Sequence, residues 1–265
     1  MIHWFQHLPI GWMSLVIFAG IYLITGAIYW LVMALAVGER ARAFKAISPG
    51  MLPPLGIIFG LLVAFIAAQV WDDLDHAHAA VNHEASELRA IVLLARSFPG
   101  EPETQLRALV QSQIEDVVSQ EWPAMAGGSA SLKMTSVPLA EALRVSLALT
   151  PRSDGQVAAQ REIITAVQNA LDARRQRIIV SQSGVNWVKW SSLLLQAICT
   201  LFAIAMVHSD NRTSAAVAMG LFATGVAVSV LLIASHHRPF AGEISVRPDV
   251  LLQVLPEEPP PTLER

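Results

Sequence analysis

The chain has 265 residues, of which 54% are apolar and 15% are charged, and its mean hydropathy is +0.49. Soluble globular domains carry about 25% charged residues, so most of this surface is predicted to face lipid. The net charge of −3 and the pI of 6.2 exclude the basic footprint that nucleic-acid-binding proteins show. The single cysteine, Cys199, excludes an intrachain disulfide and a thiolate zinc cluster.

Four uncharged, apolar stretches are long enough, or nearly so, to cross a bilayer as helices, which takes about 20 residues each. They are residues 12–37, 51–71, 190–207 and 215–234. Backbone amides have no water partner in hydrocarbon, so each stretch is predicted to be an α-helix. The fold class is therefore an all-α integral membrane protein with four transmembrane helices, and the lipid bilayer is its first partner.

Residues 72–188 differ in composition, because they hold 10 basic and 14 acidic residues. Their apolar residues recur at helical spacing, which predicts helices over 72–98, 101–122, 139–149 and 157–183. The chain is thus divided into an N-terminal arm with spans one and two (1–71), a helical extramembrane domain (72–188), spans three and four (189–235) and a C-terminal segment with a Pro-rich tail (236–265). The domain is expected to be carried on two stalks that are continuous with spans two and three.

The orientation follows from the basic residues that flank the first span. The N-terminal arm carries none, whereas the loop after the span carries Arg40, Arg42 and Lys45. Basic loops stay in the cytoplasm, so the N-terminus and the helical domain are predicted to lie on the outer side of the cell membrane. Arginines near the third span oppose this assignment, but long translocated domains count for less. They are Arg174, Arg175 and Arg177.

One stripe of the second span consists of small residues at four-residue spacing: Gly56, Gly60, Ala64 and Ala68. Small residues let a neighbouring helix approach closely in lipid. The stripe is predicted to be a helix-packing face, and the packing is either within one subunit or between subunits.

A second stripe changes from apolar to charged as the helix leaves the membrane. Its members are Ile58, Leu62, Phe65, Gln69, Asp72 and His76, with Asp73 beside them. Repeated around a symmetry axis, the stripe would form a narrow apolar ring followed by an acidic ring, which attracts cations. These residues are the pore-lining candidates. Alternatively, the aspartates mark where the helix reaches water, and Phe65 is ordinary packing.

Histidines follow the second span, but their spacing does not favour a metal site. His76, His78 and His83 lack the i, i+4 spacing of a helical zinc pair. We expect solvated or pH-sensitive histidines, no metal site and no cofactor, although a site shared between subunits stays open. No nucleophile–base set, phosphate-binding loop or dinucleotide fingerprint is present, so the protein is not predicted to be an enzyme.

Several short motifs, in a fixed order, resemble those of the bestrophin-like membrane family. The sharpest is Glu121-Trp122-Pro123-Ala124-Met125; the others lie at 56–60 with Phe65 and Trp71, at Ala80 with Glu84-Ala85, at 174–183 and at 238–242. The resemblance runs from span one to about Leu252. It implies kinship with the bestrophins, which are pentameric ion channels whose second span lines the pore and forms an apolar neck. Ile58, Leu62 and Phe65 take the neck positions. The acidic calcium clasp of animal bestrophins is missing, so calcium gating is not implied.

The motif residues also have structural interpretations. Trp122 with Pro123 is predicted to end a helix and to insert an aromatic ring into the domain core. Glu121 is expected to pair with Arg174, Arg175 or Arg177. Pro239 and Gly242 would end span four. The motif residues given structural roles are Glu84, Glu121, Trp122, Pro123, Arg238, Pro239, Phe240 and Gly242.

Three functions are compatible with these patterns. The first is a homo-oligomeric ion channel or channel-like pore, a pentamer by analogy, lined by the second span and slightly cation-selective. The second is a non-conducting membrane sensor or assembly protein whose helical domain binds a ligand or partner. The third is a metal- or proton-coupled transporter, ranked last because no span carries a charge at mid-membrane.

Overall fold

The computed structural model describes residues 9–254, which are mostly helical, with no strand among them. The helices are α1 (Ile10–Leu35), α2 (Glu39–Lys45), α3 (Leu52–Ala95), α4 (Glu101–Asp116), α5 (Trp122–Ala126), α6 (Val137–Ala148), α7 (Asp154–Ser181), α8 (Trp187–Val207), α9 (Arg212–Ser235) and α10 (Asp249–Leu252). The predicted N-terminal arm before residue 9 and the Pro-rich tail lie outside the described residues.

Four of these helices are long and apolar enough to cross a membrane. They are α1, α3 with the 3₁₀ turn that precedes it, α8 and α9. The predicted all-α fold with four membrane-spanning helices is therefore confirmed. The chain forms two compact units: the first comprises residues 9–72, 184–237 and 242–244, and the second comprises 73–183, 238–241 and 245–254.

The first unit packs the four spans around a small apolar core. Phe59 of α3 and Phe222 of α9 lie with ring centroids 5.4 Å apart. Met13 of α1 and Leu193 of α8 are buried in the same cluster. Many large apolar side chains point outwards instead, such as Trp12 and Leu23 of α1. Such a surface is unfavourable in water and fits lipid.

The second unit contains the C-terminal half of α3, helices α4 to α7 and the short α10. Its core is apolar and continuous, with Leu88 and Ile91 of α3 packed in one cluster with Leu106 of α4 and Ile163 of α7. Leu251 of α10 completes the same cluster. This unit therefore has a core of its own.

Residues 101–122 are helical as predicted, but they do not form a single α-helix and the helical segment does not end at Trp122. One π-helical turn, Val117–Glu121, follows α4, and the Trp122 amide donates to the carbonyl of Val117. Pro123 has no N–H and cannot donate to the carbonyl four residues earlier, so a wider turn is accommodated just before it. Pro123 does not end the helix, because it lies in the first turn of α5.

The predicted continuity of the second stalk with span three is wrong, because α7 ends at Ser181 and α8 begins only at Trp187. Here the Val185 amide donates to Nδ1 of His237 over 3.0 Å instead of to a helical carbonyl. Asn186 caps α8 by accepting from the Lys189 amide. A Cβ on Gly184 would lie 2.9 Å from Cε1 of His237. By contrast, α3 runs without interruption from the second span into the second unit.

Because His237 lies so close to Gly184, the variant Gly184→Ala should unfold at a lower temperature in detergent. The added methyl group would overpack the site at a cost of about 1–3 kcal/mol. Gly20→Ala is the matched control, because its Cβ would meet nothing within 4 Å, and we expect its Tm to be equal to or above that of the wild type. A Tm for Gly184→Ala at the wild-type value would contradict the close approach.

Candidate functional site

Four of the seven predicted pore-lining residues are exposed on one side of α3: Ile58, Phe65, Asp72 and His76. The other three, Leu62, Gln69 and Asp73, are half-buried, and Leu62 packs against the core of the first unit. Phe65 is 72% exposed and Ile58 is 52% exposed. Phe59 and Ile66, on the adjacent side of the same helix, are buried in the core. Asp72 and His76 continue the exposed side. The described chain therefore presents an apolar surface that becomes charged towards the second unit.

Gln69 differs from the other members of this stripe because it has a cationic partner. Its Oε1 accepts a hydrogen bond from Nζ of Lys189 in the first turn of α8. The two residues are 120 positions apart, so no local pattern pointed to the contact. The stripe thus has a positive charge beside Gln69, which the spacing of residues along α3 did not predict.

The small-residue stripe of α3 is open as well. A Cβ at Gly56 or at Gly60 would meet nothing within 4 Å, and Ala64 and Ala68 are exposed. None of these four positions is buried among the described residues 9–254, and packing within one subunit stays open as an alternative. Packing between subunits stays a prediction.

The histidines on the C-terminal half of α3 are engaged locally. Nδ1 of His78 lies 3.0 Å from the carbonyl of Leu74, and Nδ1 of His83 lies 3.7 Å from Oε1 of Glu87. Within residues 9–254, no three His, Cys, Asp or Glu side chains are grouped so that they could hold a metal ion.

A charged network is buried in the second unit, and its centre is Arg177 of α7. Nε of Arg177 donates to Glu84 of α3 over 2.7 Å, and Nη2 donates to both Glu84 and Glu121, over 3.2 and 2.7 Å. Nη1 lies 3.5 Å from the sulfur of Met125. Arg177 and Glu84 are fully buried. One guanidinium therefore joins α3 to α7 and to the π-helical turn that carries Glu121.

Arg174, one helical turn before Arg177, completes the network. Its Nε donates to Oε1 of Glu121 over 2.7 Å, and Nη2 donates to the carbonyl of Met134 over 2.6 Å. Glu121 thus pairs with two of the three arginines that were its expected partners, Arg174 and Arg177. These two lie three residues apart on one face of α7, whereas Arg175 is exposed. Two guanidinium groups face two carboxylates, so the network carries no net charge.

Trp122 and Phe240 pack around this network. The Trp122 ring lies 5.5 Å from the guanidinium carbon of Arg177, a distance typical of cation–π contacts. The Phe240 ring meets Trp122 edge-on, with centroids 5.3 Å apart. Pro239 accepts a hydrogen bond from the Val246 amide. Motif residues that are distant in sequence therefore meet in one place.

Two further motif positions depend on backbone geometry. Gly242 has φ +94°, a conformation that favours glycine, and it turns the chain after α9. Arg238 lies against Gly128, which has φ +70° and whose Cβ would be 3.0 Å from Nη1 of that arginine. A side chain at Gly128 would therefore displace the guanidinium.

The electrostatics of the network keep Arg177 charged. Burial lowers the pKa of Arg177, but attraction and hydrogen bonds from Glu84, and then from Glu121, outweigh burial and raise the pKa above its ordinary value. Both carboxylates are held by guanidinium donors in a fixed geometry. The network has no open face for a substrate, and its chemistry is that of a crosslink between helices.

A separate open cleft of about 580 Å³ lies elsewhere in the second unit. Its floor includes the buried side chains of Phe98, Val145 and Leu149, and its rim carries Arg144 and Arg152. Arg144 is engaged with Glu141 on the same helix. The cleft thus combines an apolar floor with a polar rim.

Arg177→Met should lower the free energy of unfolding by about 3–5 kcal/mol, because it leaves two buried carboxylates with fewer partners. Arg175→Met is the matched control on the exposed face of the same helix, and its effect should stay within about 0.5 kcal/mol. Thermal or denaturant unfolding of the purified protein in detergent measures both. Equal destabilisation by the two variants would contradict a structural role for the network.

Comparison with known families agrees with the motif pattern. A family model described as the Bestrophin-like domain matches residues 19–251, which include most of α1, the other three spans and the buried network. Comparisons with curated proteins and with solved structures gave no match. The match covers most of the chain and confirms the resemblance that the short motifs indicated. The chain therefore belongs to the bestrophin-like family.

Proposed function

We propose that this membrane protein is a homo-oligomeric ion channel, or a channel-like pore, whose path is lined by α3. The observation that carries the proposal is the series of exposed residues on one side of α3, where Ile58 and Phe65 precede Asp72. Membership in the bestrophin-like family supports a channel-like function in general terms, and a transport role rather than an enzymatic one. By analogy with bestrophins, the assembly would be a pentamer.

The order of side chains explains how such a path would work. A narrow ring of Ile58, Leu62 and Phe65 would form an apolar constriction, which gates by losing its water. Carboxylates of Asp72 and Asp73 beyond it would concentrate cations. The permeant ions would therefore be small inorganic ions, with a slight preference for cations.

The small-residue stripe supplies the contact that assembly needs. Gly56, Gly60, Ala64 and Ala68 are open in the single chain. Dispersion between closely approaching helices drives association in lipid. This stripe is therefore proposed as the face of α3 that packs against a second copy.

We further propose that the protein lies in the cell membrane with its N-terminus and the second unit on the outer side. The loop that would stay in the cytoplasm contains α2, which runs from Glu39 to Lys45 and includes all three basic residues of the loop. The second unit would then be an extramembrane domain. This assignment rests on the distribution of basic residues.

A second candidate function is favoured by one observation, the cleft beside Phe98 and Arg152. A site with an apolar floor and a polar rim is typical of small-molecule binding. In that case the protein would be a non-conducting sensor whose second unit binds a ligand or partner. A particle without a central opening, together with silent bilayers, would favour this function over conduction.

Purified full-length protein in planar bilayers should conduct ions, and Phe65→Ala should raise the conductance because it widens the constriction. Leu221→Ala is the matched control: Leu221 has the same 72% exposure as Phe65 but lies on α9. Asp72→Asn and Asp73→Asn should lower the cation-to-anion permeability ratio. Wild-type protein that stays silent across pH, voltage and salt, or a monomeric particle, would contradict the proposal.

The orientation is tested with single cysteines in a Cys199→Ala background. A membrane-impermeant maleimide should label Lys133→Cys in intact cells, because Lys133 is exposed in the second unit. It should label Arg40→Cys, in α2, only after the membrane is permeabilised. The reverse pattern would place the second unit in the cytoplasm.

A further inference from the structure

Lys189 is the one basic residue of α8, and its side chain reaches the proposed conduction face. Nζ of Lys189 donates to Oε1 of Gln69. Gln69 lies one helical turn after Phe65 and about one turn before Asp72. The ammonium group is therefore placed between the apolar level and the acidic level of α3.

Both the backbone amide and the side-chain ammonium of Lys189 make hydrogen bonds, and these fix its position. Its backbone amide donates to the side chain of Asn186, which caps α8 over 3.0 Å. Its ammonium is held by the amide oxygen of Gln69, in a contact that is partly buried. Both groups belong to the first unit, so this geometry depends only on how α3 and α8 pack.

A lysine near the end of a span often has a simpler explanation. Its long side chain extends towards the headgroups, so that the charge stays in water. Lys189 differs because its ammonium donates to a side chain on α3. The contact therefore directs the charge along the face that contains Phe65 and Asp72.

We propose that Lys189 is a selectivity-determining residue of the conduction path, with Gln69 as its positioning residue. The inference rests on the proposed function and adds to it the group that limits cation preference. Each subunit would contribute one fixed positive charge next to the carboxylates of Asp72 and Asp73. The path would then carry opposed charges at neighbouring levels and discriminate weakly between small cations and anions.

The expected size of the effect follows from Coulomb's law. A unit charge about 7 Å from a permeating ion changes its local concentration about threefold at the dielectric constant of water. Several copies around one axis add to this effect. Because mobile ions screen exposed charges, the effect should shrink at 1 M salt relative to 0.1 M, where the Debye lengths are about 3 and 10 Å.

The test measures reversal potentials of the full-length protein in bilayers under a sodium chloride gradient. Lys189→Gln should raise the sodium-to-chloride permeability ratio at least about threefold, and Lys189→Arg should keep the wild-type ratio. Lys133→Gln removes the same charge from an exposed site in the second unit and should leave the ratio unchanged. Gln69→Leu removes the hydrogen-bond acceptor of Lys189 without changing any charge. A raised sodium-to-chloride permeability ratio in that variant would therefore come from the displacement of the Lys189 ammonium.

The outcomes separate this inference from the proposed function. Conducting wild-type protein whose ratio is the same in Lys189→Gln would overturn the role of Lys189 and leave conduction standing. If Lys189→Gln does not yield folded protein, an unchanged ratio in Gln69→Leu would overturn the role in the same way. Silent wild-type protein would overturn both.

Discussion

One uninterrupted helix, α3, contributes to both units of the chain, and its packing in each unit shapes the rest of the structure. In the first unit it buries Phe59 and Ile66 among the other spans. In the second unit it buries Leu88 and places Glu84 beside Arg177. These positions recur at helical spacing, so one side of α3 is packed along most of its length. The remaining surface of α3 is left for lipid, water or another copy, and Phe65 lies there.

The network around Arg177 is better explained by the specificity of packing than by net stability. Moving two guanidinium groups and two carboxylates out of water is costly, and apolar side chains of similar volume often stabilise a core as well or better. Arg177 can contact Glu84 and Glu121 at the same time in only one relative register of α3, α7 and the π-helical turn. Any sliding of α7 would leave a buried charge without its partner. The network therefore fixes where the second unit holds α3.

The sequence predicts the spans well because lipid imposes length and apolarity on each helix separately. It predicts less where a structure depends on distant contacts. The break before α8 depends on His237, more than fifty residues further on, and Pro123 is compatible with a helix end or with a wider turn. For the network, the sequence limits the possible partners of Glu121 to three arginines. Arg174 and Arg177 are three residues apart and therefore share one face of a helix, so helical spacing would have favoured this pair as the partners. Nothing local indicates that Lys189 meets α3.

The charge along the proposed path is a property of two helices and not of α3 alone. Considered by itself, α3 runs from Phe65 through a neutral amide to Asp72, which would make a cation path. Once α8 is packed against it, the neutral amide of Gln69 holds the ammonium of Lys189. The electrostatic potential at an ion in the path is the sum of the contributions from the ammonium of Lys189 and the carboxylate of Asp72. Because these fixed charges have opposite sign and lie about one turn apart, their potentials largely cancel at distances beyond a Debye length. Selectivity in such a path is therefore local: it depends on how closely an ion approaches each level. A narrow apolar constriction beside those charges would force that close approach.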